Sequence, residues 1–166
     1  SDGDIDFVAQ DCAEGWMKIL PHINDEAEER RMHHWFMNRL GGEMLDYLED
    51  YVFDVFMKWN WKPALLAESM KTVDWLIRSA TQERLDYWLE TYVVCRVQLM
   101  ERMELPREAI EAYQKKYWRF SGIRNTAISL KIKYGEMDAA IGMINESMEM
   151  DRDDPDKIDE YQRVLV

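Results

Sequence analysis

Apolar residues recur along this chain at spacings of three, four and seven positions, which is the pattern of amphipathic helices. One segment has its apolar positions on a single helical face, namely Leu45, Leu48, Val52, Val55, Phe56 and Trp59. A later segment has a similar stripe, made of Leu85, Trp88, Leu89, Tyr92, Cys95 or Arg96, Leu99 and Met103. No stretch alternates apolar and polar residues for long enough to predict a strand. The pattern predicts an all-α fold.

Capping and helix-stopping residues divide this pattern into about nine helices. The predicted helices cover about 4–20, 25–40, 43–58, 63–79, 82–103, 106–118, 121–133 and 136–150, with a ninth from 155. The predicted start signals are Asp25 with Glu28 as a capping box, Pro63, Pro106, Ser121 and Asp154-Pro155. Gly41-Gly42 and Gly135 are predicted to end helices, because glycine readily adopts the left-handed turn.

Short connections predict antiparallel helical hairpins, stacked as a short tetratricopeptide-like or α-solenoid array. Two similar segments support an internal repeat, since Glu43-Met44-Leu45-Asp46-Tyr47 resembles Glu83-Arg84-Leu85-Asp86-Tyr87. Coincidence between two amphipathic helices explains this similarity equally well. We expect one helical-repeat domain over 1–166, with a subdivision into 1–104 and 105–166 as the alternative. The apolar residues at the end, 164–166, favour a fragment of a longer protein.

The charge and cysteine content of the chain limit the classes of function that it can have. The 166 residues carry a formal net charge of −12, which argues against non-specific nucleic-acid binding by the whole surface. Two cysteines are too few for a disulfide framework and favour a reducing, cytoplasmic location. The chain has no apolar run of about 18 residues, so no membrane span is predicted. The oligomeric state cannot be inferred from these features.

The last third of the chain carries a resemblance to known repeats. The stretch Tyr134-Gly135-Glu136-Met137-Asp138-Ala139-Ala140-Ile141, followed by Glu146-Ser147-Met148-Glu149-Met150-Asp151, resembles the second half of a tetratricopeptide repeat. This resemblance implies a tight turn at Gly135, a close helix contact at Ala140 and a core role for Ile144. The first half departs from the motif, because Arg124, Ile128 and Lys131 replace an aromatic, a small and an aromatic residue.

A longer region, roughly residues 10–165 and firmest over 106–161, resembles the helical part of bacterial proteins that carry a SWIM-type zinc finger. The resemblance follows Glu108-Ala109-Ile110, Tyr117-Trp118, Ile123-Arg124, the segment from Gly135 to Ile141, Glu146-Ser147, Asp151 and Pro155. The finger itself needs Cys-x-Cys and Cys-x-His, and this chain has neither. The resemblance therefore implies that zinc and DNA binding belong to another part of a larger protein.

Candidate catalytic and metal-binding residues lack the required spacing. His33 and His34 are adjacent and point in different directions on a helix, so we expect capping or surface roles. Cys12 and Cys95 lie on apolar faces, which predicts buried, inert thiols. A solvated acidic face is expected where carboxylates fall three and four apart, at Asp46, Glu49, Asp50 and Asp54. We predict no enzyme activity, no cofactor and no metal.

Two features suggest a partner-binding surface. Residues 106–133 hold seven basic and two acidic residues, interleaved with aromatic ones. The Trp59-Asn60-Trp61 step is rich in tryptophan, which binding hot spots favour. The candidate surface residues are Lys115, Lys116, Trp118, Arg119, Arg124, Trp59 and Trp61. For both features, a structural role in the core or in charge balance is the competing interpretation.

The sequence therefore predicts a helical-repeat module that binds another protein, by analogy with the extended surfaces of stacked hairpins. The alternative is an accessory domain of a nucleic-acid-associated protein, acting through the basic stretch 106–133.

Overall fold

The computed structural model describes residues 2–40, 46–59 and 62–165. Within these ranges the chain forms nine α-helices, a short 3-10 turn at Leu20–His22 and no strand, so the predicted all-α fold is confirmed. The helices are α1 Asp2–Ile19, α2 Glu26–Met37, α3 Asp46–Trp59, α4 Pro63–Glu83, α5 Asp86–Arg102, α6 Arg107–Lys116, α7 Ser121–Lys133, α8 Met137–Met150 and α9 Pro155–Val164. The solenoid arrangement and the repeats stay predictions.

Local chemistry sets most helix ends. The Asp25 carboxylate accepts a hydrogen bond from the Glu28 amide at 2.9 Å, and Asp154 accepts one from the Lys157 amide at 3.3 Å. Pro63 is the first residue of α4, as predicted. Gly135 has a φ of +73° between α7 and α8, so the predicted left-handed turn is confirmed. Gly41-Gly42 lie outside the described residues.

Several predicted boundaries are wrong. The fifth helix begins at Asp86 rather than at about residue 82. The fourth helix runs to Glu83 rather than to about residue 79, because Arg84 adopts a left-handed φ of 58° and the Leu85 amide bonds the Ala80 carbonyl. This stop carries no glycine, so the sequence lacks its usual marker. Ser121 is the first residue of α7 rather than its cap, since Phe120 holds the capping position without a side-chain bond.

The chain divides into two compact units, residues 1–103 and 104–166. In the N-terminal unit, α3 packs against α1 and α2, α4 pairs with α5, and α2 also contacts α4. Packing there is thus not only between consecutive helices. The buried residues of one cluster are Ala13, Leu20, Phe36, Val55, Trp59 and Leu65. Whether the chain is one domain or two stays a prediction.

In the C-terminal unit, each helix packs against the next, from α6 to α9. A core cluster joins Ile128 of α7, Ile144 of α8 and Tyr161 of α9. Ala140 is also buried, and so both α8 core positions that the repeat resemblance implies are confirmed. This core positions α6, α7 and α8 around a shared groove.

Several side chains occupy other environments than predicted. His33 is buried rather than at the surface, because α2 turns it toward Phe56 and Trp59 of α3. Cys12 is exposed, whereas Cys95 is buried as predicted, and burial raises the pKa of its thiol to about 12.

The acidic face of α3 also differs from the prediction. Glu49 is buried, and its Oε1 accepts a hydrogen bond from the Tyr92 hydroxyl at 3.1 Å. Asp50 and Asp54 are exposed, as expected for the solvated part of this face. The side chain of Asp46 lies outside the described residues.

Candidate interaction surfaces

The C-terminal unit contains a groove of about 520 Å³ between α6, α7 and α8. Its lining residues are Glu111, Gln114, Lys115, Trp118, Ala127, Leu130, Lys131, Met143 and Glu146. We call it the α6–α8 groove. Its volume lies within the range of about 300–1,000 Å³ that is typical of ligand pockets. Its lining combines four apolar side chains with five polar or charged ones.

An ion-pair network fixes one end of the α6–α8 groove. Arg107 of α6 bonds Glu136 through both terminal nitrogens, at 2.6 Å each, and bonds Glu111 through Nε at 2.9 Å. The Lys131 Nζ of α7 lies 3.0 Å from both Glu111 Oε1 and Glu136 Oε2. The two cations and the two carboxylates balance each other in charge. The network therefore joins α6, α7 and the start of α8 without leaving a net charge.

These contacts shift the acid–base behaviour of the carboxylates. The hydrogen bond from Arg107, followed by that from Lys131, lowers the pKa of Glu136 to about 2. Bonds from Lys131 and Arg107 likewise lower the pKa of Glu111. Both carboxylates are thus ionised at neutral pH, and the network persists well into acid.

Trp118 and Lys115 are the predicted residues that line the groove. Trp118 is half-buried, and its indole Nε1 donates a hydrogen bond to Glu146 Oε1 at 3.0 Å. Lys115 is exposed at the edge. Gln114 is buried beneath them, and its Nε2 donates to Thr126 Oγ1 at 3.1 Å. An indole of fixed orientation beside an exposed ammonium can contact both apolar and anionic groups.

Arg124 is buried with a side-chain exposure of 0%, so it is not part of a surface. Its Nη1 donates to the carbonyls of Trp118 and Arg119, at 2.8 and 3.1 Å, and its Nη2 bonds the Asp151 carboxylate. Burial acts to lower the pKa of Arg124, but the bonds to Asp151 and Tyr161 outweigh burial and raise it. Arg124 therefore holds the segment that carries Trp118.

The other predicted residues divide between surface and interior. Lys116 and Arg119 are exposed, with Lys116 Nζ 5.2 Å from the Tyr117 ring centroid and the Arg119 guanidinium 4.0 Å from that of Phe120. Trp59 is buried, donates to Glu29 Oε1 at 3.1 Å, and cannot belong to a binding surface. Trp61 lies outside the described residues.

Sequence reasoning missed the residues that complete the groove from other helices. Leu130, Met143 and Glu146 carry no local signal of a site, because their positions follow the ordinary helical pattern. Only the packing of α8 beside α6 brings Glu146 to the Trp118 indole.

A histidine–serine pair lies in the N-terminal unit and is enclosed. His33 Nε2 lies 3.2 Å from Ser69 Oγ, but both residues are fully buried, so no substrate can reach this pair. Across the ranges described, no three His, Cys, Asp or Glu side chains gather as a metal site. The absence of enzyme activity stays a prediction. Of the helices in the described part of the chain, none is long and apolar enough to cross a membrane.

Compared with known proteins, the chain matches no family model, no curated protein and no solved structure. The resemblance to the helical region of SWIM-finger proteins is therefore still a prediction, and functional proposals depend on the surfaces themselves.

Proposed function

We propose that this chain is a helical interaction module that binds a segment of another protein in the α6–α8 groove. The observation that carries the proposal is a groove lined in part by Ala127, Leu130 and Met143, with Trp118 oriented by its bond to Glu146 and with Lys115 at the edge. Tryptophan is enriched among residues that dominate binding energy. A cytoplasmic scaffold within a larger protein is the setting that the sequence predicts for such a module.

Preorganisation supports this proposal. The Arg107–Glu111–Lys131–Glu136 network and the buried Arg124 hold the groove walls before any ligand arrives. A rigid site loses less conformational entropy when a ligand binds, and so more of the contact energy contributes to affinity.

The nucleic-acid alternative is supported by the exposed cations Lys115, Lys116 and Arg119, which lie next to aromatic rings. However, Arg107, Arg124 and Lys131 of this stretch are occupied in ion pairs with carboxylates. Phosphate binding at these three positions would have to break an ion pair. We therefore favour a protein ligand.

Photo-crosslinking in the full chain would test the proposal. A photoreactive amino acid at Lys115 should crosslink to one partner protein in cells of the source organism, and Trp118→Ala should abolish that product. The same amino acid at Lys133, which is exposed and does not line the groove, serves as the matched control.

Two outcomes would contradict the proposal. One is an identical crosslinking pattern from Lys115 and Lys133. The other is salt-dependent binding of a single-stranded oligonucleotide that is lost when Lys115, Lys116 and Arg119 are replaced by Glu, which would support the nucleic-acid alternative instead.

A further inference from the structure

The N-terminal unit has a second concave surface, formed where α2 and α4 lie side by side. Arg30 Nη1 of α2 lies 2.6 Å from Glu68 Oε1 of α4, and Thr72 Oγ1 donates to Met37 Sδ at 3.1 Å. Residue numbers rise together along these contacts, so the two helices run parallel. A cavity of about 330 Å³ lies between the end of α2 and α4, and one of about 870 Å³ extends from it along α2 and reaches α4 at Glu68. The two cavities share Asn38. We call this continuous feature the α2–α4 furrow.

Two tryptophans line the furrow and remain open to solvent. Trp35 is 51% exposed in the larger cavity, and Trp75 is 47% exposed in the smaller one. The other tryptophans whose burial is described are buried or half-buried. Half-exposed tryptophans in concave sites, with arginine nearby, have the composition of protein-binding hot spots. The Arg39 guanidinium lies 5.0 Å from the Trp35 ring centroid, which adds a cation to this surface.

The charges at the furrow define the ligand further. Arg39 and Lys71 form no ion pair with any carboxylate in the described part of the chain. Arg30 pairs with Glu68 and Arg31 with Glu28, in exposed geometries that stabilise little and exchange readily. A ligand with carboxylates gains attraction there without displacing a buried pair.

The shape of the furrow favours a helical ligand. A channel between two parallel helices accepts an amphipathic helix, whose apolar residues recur at i, i+3, i+4 and i+7. Glu26 and Glu68 also line the larger cavity, so the carboxylates of the ligand must lie toward Arg39 and Lys71. We propose that the α2–α4 furrow binds an acidic amphipathic helix of a partner protein, with apolar contacts to Trp35 and Trp75 and carboxylates paired to Arg39 and Lys71.

This site is separate from the α6–α8 groove, and its test uses different residues. The probe is a display library of random peptides of about 16 residues, long enough for more than four helical turns, panned against the full chain. Selected peptides should carry apolar residues at helical spacing and an excess of Asp and Glu. Their affinity, measured by fluorescence anisotropy, should fall about tenfold or more with Trp35→Ala and with Trp75→Ala.

Charge reversal keeps the test informative if a tryptophan variant fails to fold. Arg39→Glu and Lys71→Glu alter exposed side chains, and each should weaken the selected peptides by about tenfold at low salt and less at high salt. Tyr87→Ala removes a more exposed aromatic from α5 outside the furrow, and Lys133→Glu reverses a charge in the other unit. Neither control should change the affinity. Circular dichroism verifies the fold of every variant.

Other results would overturn the proposal. These are a library without binders, binders that lack acidic residues, or binders that tolerate all four furrow variants. Oligonucleotide binding or self-association, if lost in Trp35→Ala and Lys71→Glu, would assign the furrow to a nucleic acid or to a second copy of the chain.

Discussion

His33 lies between the rings of Phe56 and Trp59, with centroid separations of 5.6 and 5.4 Å. Burial lowers the pKa of His33 to about 4, although nearby Glu68 and Glu29 act in the opposite direction. In the unfolded chain the same imidazole has a pKa of about 6.5. The unfolded state therefore binds more protons between these two values, and stability must fall as the pH falls through this range.

The pH dependence of unfolding should report this histidine. We expect the free energy of unfolding to drop by about 2 kcal/mol between about pH 7 and about pH 5 because of His33 alone. Urea titrations at both pH values measure the drop. His33→Gln should remove most of it, whereas His34→Ala, which changes the exposed neighbour, should retain it. Equal pH dependence in wild type and His33→Gln would contradict the assignment.

At Gly135, the backbone conformation alone explains why the residue is glycine. Its φ is +73°, and a Cβ built there meets no atom within 4 Å, so space is not the constraint. Gly135→Val should lower the free energy of unfolding by about 1–3 kcal/mol, because a β-branched residue is strained at positive φ. Gly135→Asn should cost less, since asparagine tolerates this region. Denaturant midpoints compare both with Lys133→Ala, which should change stability by less than about 0.5 kcal/mol.

At the scale of helices, Arg124 connects three elements of the C-terminal unit. Its guanidinium on α7 bonds Asp151 at the end of α8, and Asp151 accepts a hydrogen bond from the Tyr161 hydroxyl of α9 at 2.7 Å. Burial would raise the pKa of Asp151, but the bonds from Tyr161 and Arg124 lower it. A buried charge with such partners is costly to leave alone.

A double-mutant cycle should reveal this dependence. Arg124→Met alone should lower stability by about 3–5 kcal/mol, because it leaves the Asp151 carboxylate unpaired. Adding Asp151→Leu should recover part of the loss, since the second change removes that charge. Urea unfolding of the single and double variants measures the coupling. The exposed pair Arg152–Glu149 is the control, where Arg152→Ala should cost less than about 0.5 kcal/mol. A double variant that is less stable than Arg124→Met would refute this role.

The packing of α8 against α7 gives a prediction for substitutions at Ala140. Ala140 is 1% exposed, so a larger side chain there would have to fit inside the core. Ala140→Leu should destabilise the protein by about 1–3 kcal/mol through overpacking. Ala139→Leu, one position along on the exposed side of α8, should be nearly neutral in the same denaturant titration. Equal midpoints for the two variants would show that this contact is not tight.

For the whole molecule, the division at residue 103 suggests that each unit has its own stabilising core. Residues 104–166 contain the cluster of Ile128, Ile144 and Tyr161 together with the Arg124 network. Glu104, at the start of this unit, has a positive φ of 54° although it is not glycine. This left-handed residue follows the C-cap of α5 at Met103.

Expression of residues 104–166 alone tests this division. We expect a helical circular dichroism spectrum and a cooperative thermal transition, because the internal contacts of this unit do not require α1–α5. A segment of this size is marginally stable, so the transition should lie below that of the full chain. A random-coil spectrum would show that the two units stabilise each other.

Much of the local structure could be predicted from the sequence, because the deciding interactions span a few residues. Asp25, Pro63, Gly135 and Asp154 act on amides or dihedral angles within one turn. The break at Arg84 could not, since an arginine gives no sign that it will adopt a left-handed conformation. Periodicity likewise identified Val55, Phe56 and Trp59 as one buried face.

Function-related positions were harder to predict, because residue type does not specify solvent exposure. Trp59 and Arg124 have the composition of a binding surface, yet α2 covers the first and Asp151 neutralises the second inside the fold. Trp35 and Trp75 gave no signal in the sequence, and only the parallel packing of α2 and α4 places them along one furrow.

The sequence by itself determined the helical class, most helix ends and the composition of the basic stretch, since periodicity, capping and charge are local properties. The tertiary structure alone decided which cations are neutralised, which tryptophans are exposed and which helices form a groove. These properties depend on side chains far apart in the chain, such as Trp118 and Glu146, that meet only after the helices pack.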